Sequence, residues 1–341
     1  MQKEIKDWTE SDIKRWISKN KILFFTNTRC MPGSIFLSSI LTYTDYIPVS
    51  NFQIVHGERA GRPFYGFDVF FEMSRFVLGG DFYLKNYDFA VYIDEDCFVT
   101  DFNALMEEIV DFVESEEFCM AGPQDGGMIC HRNHSRYLFN TYVSFWNFKM
   151  LREKTNLKEF TEIMRSIIED RQRPYQKFME MMREKQPDLL GRMNALSSDM
   201  LIRGKCFRND TFPMDAHGRH ESPYAGTVRN DKTNPIEPNQ IPYSYKDDEL
   251  GNFEPYYLVE EAWVLSTGCP IKYLFHSDLY IEGEESKNTD NSGLSSALYY
   301  DNRLAVVHTW FSRAYTKWPQ NALESMHTAR INKIIIKYGV L

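Results

Sequence analysis

No run of apolar residues in this sequence approaches the ~18 that a membrane-crossing helix requires. The opening MQKEIKDWTESDIKRWISKNK is charged throughout, unlike a secretory leader. Both absences lead to the expectation of a cytoplasmic protein with no transmembrane segment. Cysteine is sparse: the six residues are scattered and none forms a CxxC pair. That excludes a disulfide scaffold and predicts reduced thiols. Positive charge is in deficit, with 39 Lys and Arg against 48 Asp and Glu and a formal charge of −9. A general nucleic-acid surface is thereby excluded, and any bound phosphate must be held by local basic groups or a metal ion. Internal repeats and low-complexity tracts are missing too. What remains is a chain of 341 residues, 43% of them hydrophobic, able to bury a substantial core.

Patterning along the chain alternates between strand and helix. Residues 3 to 19 place Trp8, Ile13, Trp16 and Ile17 at helical spacing, and KILFFTNTR follows as a buried strand. Asp68 stands as the N-cap of VFFEMSRFVL, which Gly79 and Gly80 end. YDFAVYI, 87 to 93, is a strand, DFNALMEEIVDFVESEE a helix behind Asp101, and FCMAGP a second short strand. NTYVSFWNFKML, 140 to 151, is strand-like throughout, while the charged, Met-rich segment that follows has helical spacing broken at Pro174. Residues 229 to 252 have the Pro-rich polar composition of a loop or lid.

The stretch FAVYIDEDCFV carries the chemistry, because a buried strand there runs directly into three carboxylates. Ligands bind at the carboxyl ends of strands in open α/β sheets. A period of two puts Asp94 and Asp96 on one side and turns Glu95 away. Two convergent carboxylates suit a hard cation such as Mn²⁺ or Mg²⁺, which bridges to phosphate oxygens. The alternative is a solvated acidic turn.

Asp94-Glu95-Asp96 resembles the DxD motif of the GT-A-fold, nucleotide-sugar-dependent glycosyltransferases. The likeness extends to KILFFTNTR, to the helix carrying Arg75, and to the strand beginning at Asn140. It includes the acidic motif in PYYLVEEAWVLSTGCPIKYL, with Glu260-Glu261 where Glu-Asp is common, and His308 in LAVVHTWFSR. The resemblance implies a single α/β domain over 1–341 with a Rossmann-like, mostly parallel sheet flanked by helices. Its parts are an N-terminal helix (1–19), a nucleotide-binding half (20–150), a helical insertion (151–195) and an acceptor-binding half (196–341). It further implies a Mn²⁺ or Mg²⁺ ion on Asp94, Asp96 and His308. Donor contacts fall to Thr26, Arg29, Arg75, Asp94 and Asn140. Glu261 becomes the first choice and Glu260 the second for the base. The implied activity is transfer of a hexose from a UDP-linked sugar to a glycan or lipid-linked acceptor, with inversion expected and retention as the alternative.

Other readings stay open at several positions. Glu260 and Glu261 also suit a helix N-terminal turn on electrostatic grounds alone, and His308 also suits a packed core strand. A haloacid-dehalogenase-like phosphohydrolase shares Asp-x-Asp but requires Thr or Val where Phe98 stands. A non-catalytic sugar-nucleotide or glycan binder of the same fold would have no need of the acidic pair. The pairs His131/His134 and His217/His220 read as surface or substrate-contacting groups in loops, and Gly126 and Gly127 permit close backbone approach. Arg62 joins Arg29 and Arg75 as a diphosphate candidate. INKIIIKYGVL at the end of the sequence mixes Lys with apolar residues, which fits a packed element or contact with a membrane surface.

Overall fold

Local capping chemistry sets the first helix. Thr9 accepts from the Asp12 amide while the Asp12 side chain accepts from the Thr9 amide, so α1 runs Glu10–Lys19 and not from residue 3. The computed structural model describes residues 4–28, 33–56, 58–59, 62–63, 66–80, 83–125, 135–169, 174–211, 256–279 and 295–308. Arg29, the histidine pairs 131/134 and 217/220, Gly126, Gly127, the 229–252 segment and the 331–341 segment lie outside these residues.

After α1 come β1 (Ile22–Thr28), α2 (Gly33–Leu41), β2 (Phe52–His56) and the two-residue strands β3 (Glu58–Arg59) and β4 (Arg62–Pro63). Next are α3 (Gly66–Gly79), β5 (Phe89–Ile93), β6 (Cys97–Val99), α4 (Phe102–Ser115), β7 (Met120–Pro123) and β8 (Val143–Asn147). Helices α5 (Phe148–Lys154), α6 (Leu157–Glu169), α7 (Pro174–Lys185) and α8 (Pro187–Thr211) follow. The chain continues with α9 (Tyr257–Thr267), β9 (Ile271–Leu274), β10 (His276–Leu279), β11 (Ser295–Tyr300) and β12 (Arg303–His308).

Two further boundaries differ from the sequence expectation, each for a local reason, while the break expected at Pro174 is where a new helix begins. Asp68 lies inside the first turn of α3, which begins two residues before it. The 140–151 stretch is strand only through Asn147, whose side chain then accepts from the Met150 amide and starts α5. Pro174 opens α7, a position where its missing N–H would have had no helical partner.

The main sheet has the order β2-β1-β5-β8-β7-β9. Pairings β1/β2, β1/β5 and β7/β9 are parallel, and β8 alone runs against its neighbours. The protein is therefore α/β, with a mostly parallel mixed sheet flanked by helices and compatible with a Rossmann-like fold. Both faces of the sheet are buried, and the strand period of two divides the core. Leu23, Phe25, Ala90, Tyr92 and Trp146 join one cluster with residues of α3, α6, α7 and α9. Ile22, Phe24, Val91, Ile93 and Phe145 join another with residues of α1 and α4. A second sheet, β10-β11-β12-β6, is antiparallel and takes its last strand from the segment just after the acidic stretch. No helix among the described residues is long and apolar enough to cross a membrane.

Candidate functional site

Strand β5 stops at Ile93, and residues 94 to 97 turn sharply, closed by the Cys97 amide donating to the Asp94 carbonyl at 3.1 Å. This turn ends the strand period, so the expected alternation of Asp94 and Asp96 against Glu95 does not apply: all three are buried. Asp94 Oδ1 accepts from the Glu95 amide at 2.9 Å and lies 3.0 Å from the Tyr92 hydroxyl, itself 2.5 Å from Asn27 Oδ1. His308, at the end of β12, brings Nε2 to 3.1 Å from Asp96 Oδ1.

The third member of this group is Cys97, a residue the sequence reading passed over. Donor atoms of Asp96, Cys97 and His308 lie within 4.8 Å of one another, all buried. The register explains the meeting, since His308 sits directly opposite Cys97 on the β12/β6 ladder. Tyr142 supports the cluster three ways. Its carbonyl accepts from the Asp94 amide at 2.8 Å and from Cys97 Sγ at 3.4 Å, and its ring stacks on His308 at 4.5 Å and 9°. An imidazole nitrogen, a carboxylate oxygen and a sulfur held this closely fit a divalent cation in donor chemistry. Asp94 is outside the 4.8 Å group.

A second buried acidic centre forms at the carboxyl end of β7. Asp125 accepts from Tyr256 at 3.0 Å, from Tyr257 at 2.5 Å and from Asn140 Nδ2 at 3.2 Å. Glu260, in the first turn of α9, accepts from the Phe139 amide at 3.1 Å, while its Oε1 has no hydrogen-bond partner among the described residues. Burial pushes the Glu260 carboxyl well above the usual range; the Phe139 amide opposes that, and the neighbouring carboxyls of Asp125 and Glu261 add to it. Glu261 is raised well above the usual range by burial alone, and neither of its oxygens has a hydrogen-bond partner among the described residues. Partial burial was the expectation for this pair; both are 0% exposed. Glu260, rather than the first-choice Glu261, is the one in contact with the polar centre.

β7 and Phe139 approach so closely that a Cβ on Gly122 would lie 2.1 Å from the Phe139 ring. Glycine at 122 is thus what lets the Phe139 ring pack directly on β7. The two centres are also joined by polar contacts. The Tyr142 amide donates to Asn140 Oδ1, the Tyr142 hydroxyl is 3.3 Å from His276 Nδ1, and His276 Nε2 is 2.6 Å from the Gln124 carbonyl.

The remaining expected residues divide clearly. Asn140 belongs to the Asp125 centre. Thr26 is buried in β1 opposite Ile54. Arg75 is on the outer side of α3, its side chain 56% exposed and paired with Glu72 at 3.1 Å, so the structure does not bring it to either centre. Cys97, Cys119 and Cys269, the three cysteines whose side chains are described, are thiols outside any disulfide, as expected. Sequence reasoning missed Asp125, Tyr142, Tyr256, Tyr257 and His276. Only Asp125 had a legible signal: like Asp94, it follows the carboxyl end of a strand running in the β5 direction. No protein-family model matches the sequence, and no curated protein matches it.

Proposed function

We propose that this protein is a nucleotide-sugar-dependent glycosyltransferase of the GT-A type, moving a hexose from a UDP-linked donor to a glycan or lipid-linked acceptor. The observation that carries the reading is the contact of His308 Nε2 with Asp96 Oδ1 at 3.1 Å, at the carboxyl end of a central strand. It joins two separate sequence features that the resemblance assigns to one cation, and does so where α/β sheets bind ligands. Asp96 and His308 would hold the Mn²⁺ or Mg²⁺ ion, with Asp94 beside them. A divalent cation bound there supplies Lewis acidity toward the diphosphate leaving group.

The protein's own groups do the rest. Tyr92 orients Asp94, and the Tyr142 ring fixes the plane of the His308 imidazole. Glu260 is the group assigned to take the acceptor's proton: one of its oxygens accepts from the Phe139 amide, Oε1 has no hydrogen-bond partner among the described residues, and burial raises the carboxyl's affinity for protons. Asp125, accepting from Asn140, Tyr256 and Tyr257, is held beside it. The complete burial of Glu260 favours one second reading, in which Glu260 only holds the Phe139 backbone, and the product retains the donor's anomeric configuration.

The test is a thermal-shift and calorimetric screen of nucleotide sugars with Mn²⁺ and with EDTA. A ligand of the native state raises the melting temperature by mass action. One class of nucleotide sugar should bind with Mn²⁺ and lose that binding in EDTA. Equal affinity under both conditions refutes the cation assignment, and turnover with a retained anomer selects the second reading.

A further inference from the structure

We infer that Cys97 is a third protein ligand of the Asp96/His308 cation site, and that the site therefore prefers a thiophilic divalent cation such as Zn²⁺, Co²⁺ or Cd²⁺ over Mg²⁺. This rests on the cation reading of the site but not on glycosyl transfer.

The argument begins with register. Residues directly opposite on an antiparallel pair carry side chains on the same face, with Cβ atoms about 4.5–5.5 Å apart. Cys97 and His308 are such a pair. Asp96, one residue earlier and inside the turn, adds its carboxylate from the third direction, and all three donor atoms fall within 4.8 Å of one another. Ligands of a tetrahedral cation at about 2.0–2.3 Å stand roughly 3.5 Å apart. Asp96 and His308 are already at 3.1 Å, so closing the site from a separation of at most 4.8 Å asks the thiol to move by about 1.3 Å or less, within reach of a side-chain torsion.

Chemistry then selects the ion. Mg²⁺ demands oxygen ligands in near-ideal octahedral geometry, whereas sulfur and imidazole suit zinc-like ions. Among the six cysteines of the chain, Cys97 is the one that follows the acidic stretch directly. Its thiol donates to the Tyr142 carbonyl at 3.4 Å, a long contact that is readily given up. On binding, the sulfur forms a bond to the cation and its proton leaves to solvent; no electron changes hands.

The experiment uses the full chain, stripped by a chelator and titrated with Co²⁺, Cd²⁺ and Mg²⁺ alone. Co²⁺ should produce an intense near-ultraviolet sulfur-to-cobalt charge-transfer band, absent from Cys97→Ser and from His308→Ala. Losing even a group that only orients a ligand costs about 10–100-fold in metal affinity, so Cys97→Ser should weaken Cd²⁺ binding by at least about tenfold. Mg²⁺ should bind more weakly than Cd²⁺ in the parent. A band that survives in Cys97→Ser, or no band in the parent, overturns the inference.

If Cys97→Ser does not fold, X-ray absorption of the Zn²⁺-loaded parent decides. A sulfur shell at about 2.3 Å, lost in His308→Ala, supports Cys97, and nitrogen and oxygen ligands only refute it. The two proposals fail separately. Cation-dependent donor binding with no sulfur ligand leaves the glycosyltransferase reading standing, and a sulfur-bound cation with no nucleotide-sugar binding leaves this one.

Discussion

The two buried acidic centres are built from similar residues and differ in their partners. Around Asp96 the neighbours are an imidazole and a thiol, groups that share electron pairs with a cation. Around Asp125 they are two phenols and an amide, which donate hydrogen bonds to it. A carboxylate's role is thus set by what faces it: lone-pair donors make an ion site, and hydrogen donors with a second buried acid make a place to hold a proton. Tyr142 touches both, through His308 on one side and His276 and Asn140 on the other.

The largest expected effect separates the two centres by function. Glu260→Gln keeps the shape of the side chain and removes its proton affinity, so turnover should fall by about 10²–10⁴-fold with donor affinity unchanged. Steady-state kinetics beside donor calorimetry would check this, and a donor affinity that collapses together with turnover would merge the centres into one. Next in size, Asp96→Asn should weaken Mn²⁺-dependent UDP binding by about 10–100-fold and leave binding in EDTA untouched. Loss of binding in both conditions would mean the substitution damaged the fold instead.

A structural variant divides the centres by position. Gly122→Ala forces a methyl group into the Phe139 ring, and overpacking of this kind costs about 1–3 kcal/mol. Urea unfolding should record that loss, while Mn²⁺-dependent UDP binding persists because the Asp96 centre is held by β5, β6 and β12. If Gly122→Ala proves as stable as the parent, Phe139 can swing aside.

The smallest effect concerns Glu261. Its carboxyl is raised by burial, so the folded state keeps a proton that the unfolded chain releases above about pH 4.3. Native stability therefore declines as pH climbs from that point toward the folded-state value. Glu261→Gln removes this dependence, and its stability gain over the parent should be greater at pH 8 than at pH 5 by urea denaturation. An equal gain at both would free Glu261 of the assigned titration.

Much of this was legible from one dimension. The apolar run YDFAVYI ahead of three acids located the carboxyl end of a central strand, and LAVVHTW placed a histidine at the end of another. Strand and helix periods marked several elements because each buries a regular face, and the helix expected after Asp101 begins there, the Asp101 side chain accepting from the Ala104 amide. Boundaries shifted where a side chain competed for the backbone: Thr9 and Asp12 delayed α1, and Asn147 cut β8 short to begin α5. The exchange of Asp94 for Cys97 in the tight cluster had no sequence signal, because a period of two holds only while the strand lasts and β5 ends at Ile93.

The residues alone marked several strands, β1, β5, β7 and β12 among them, showed that acids follow one strand end, and supplied both sulfur and imidazole. Which acid meets which partner was set by strand pairing and helix placement. His308 reaches Asp96 because β12 pairs with β6 in a particular register, and Glu260 reaches the Asp125 centre because α9 starts beside Phe139. Such neighbours come from distant parts of the chain, and local propensity carries no information about a pairing that sheet order and register create.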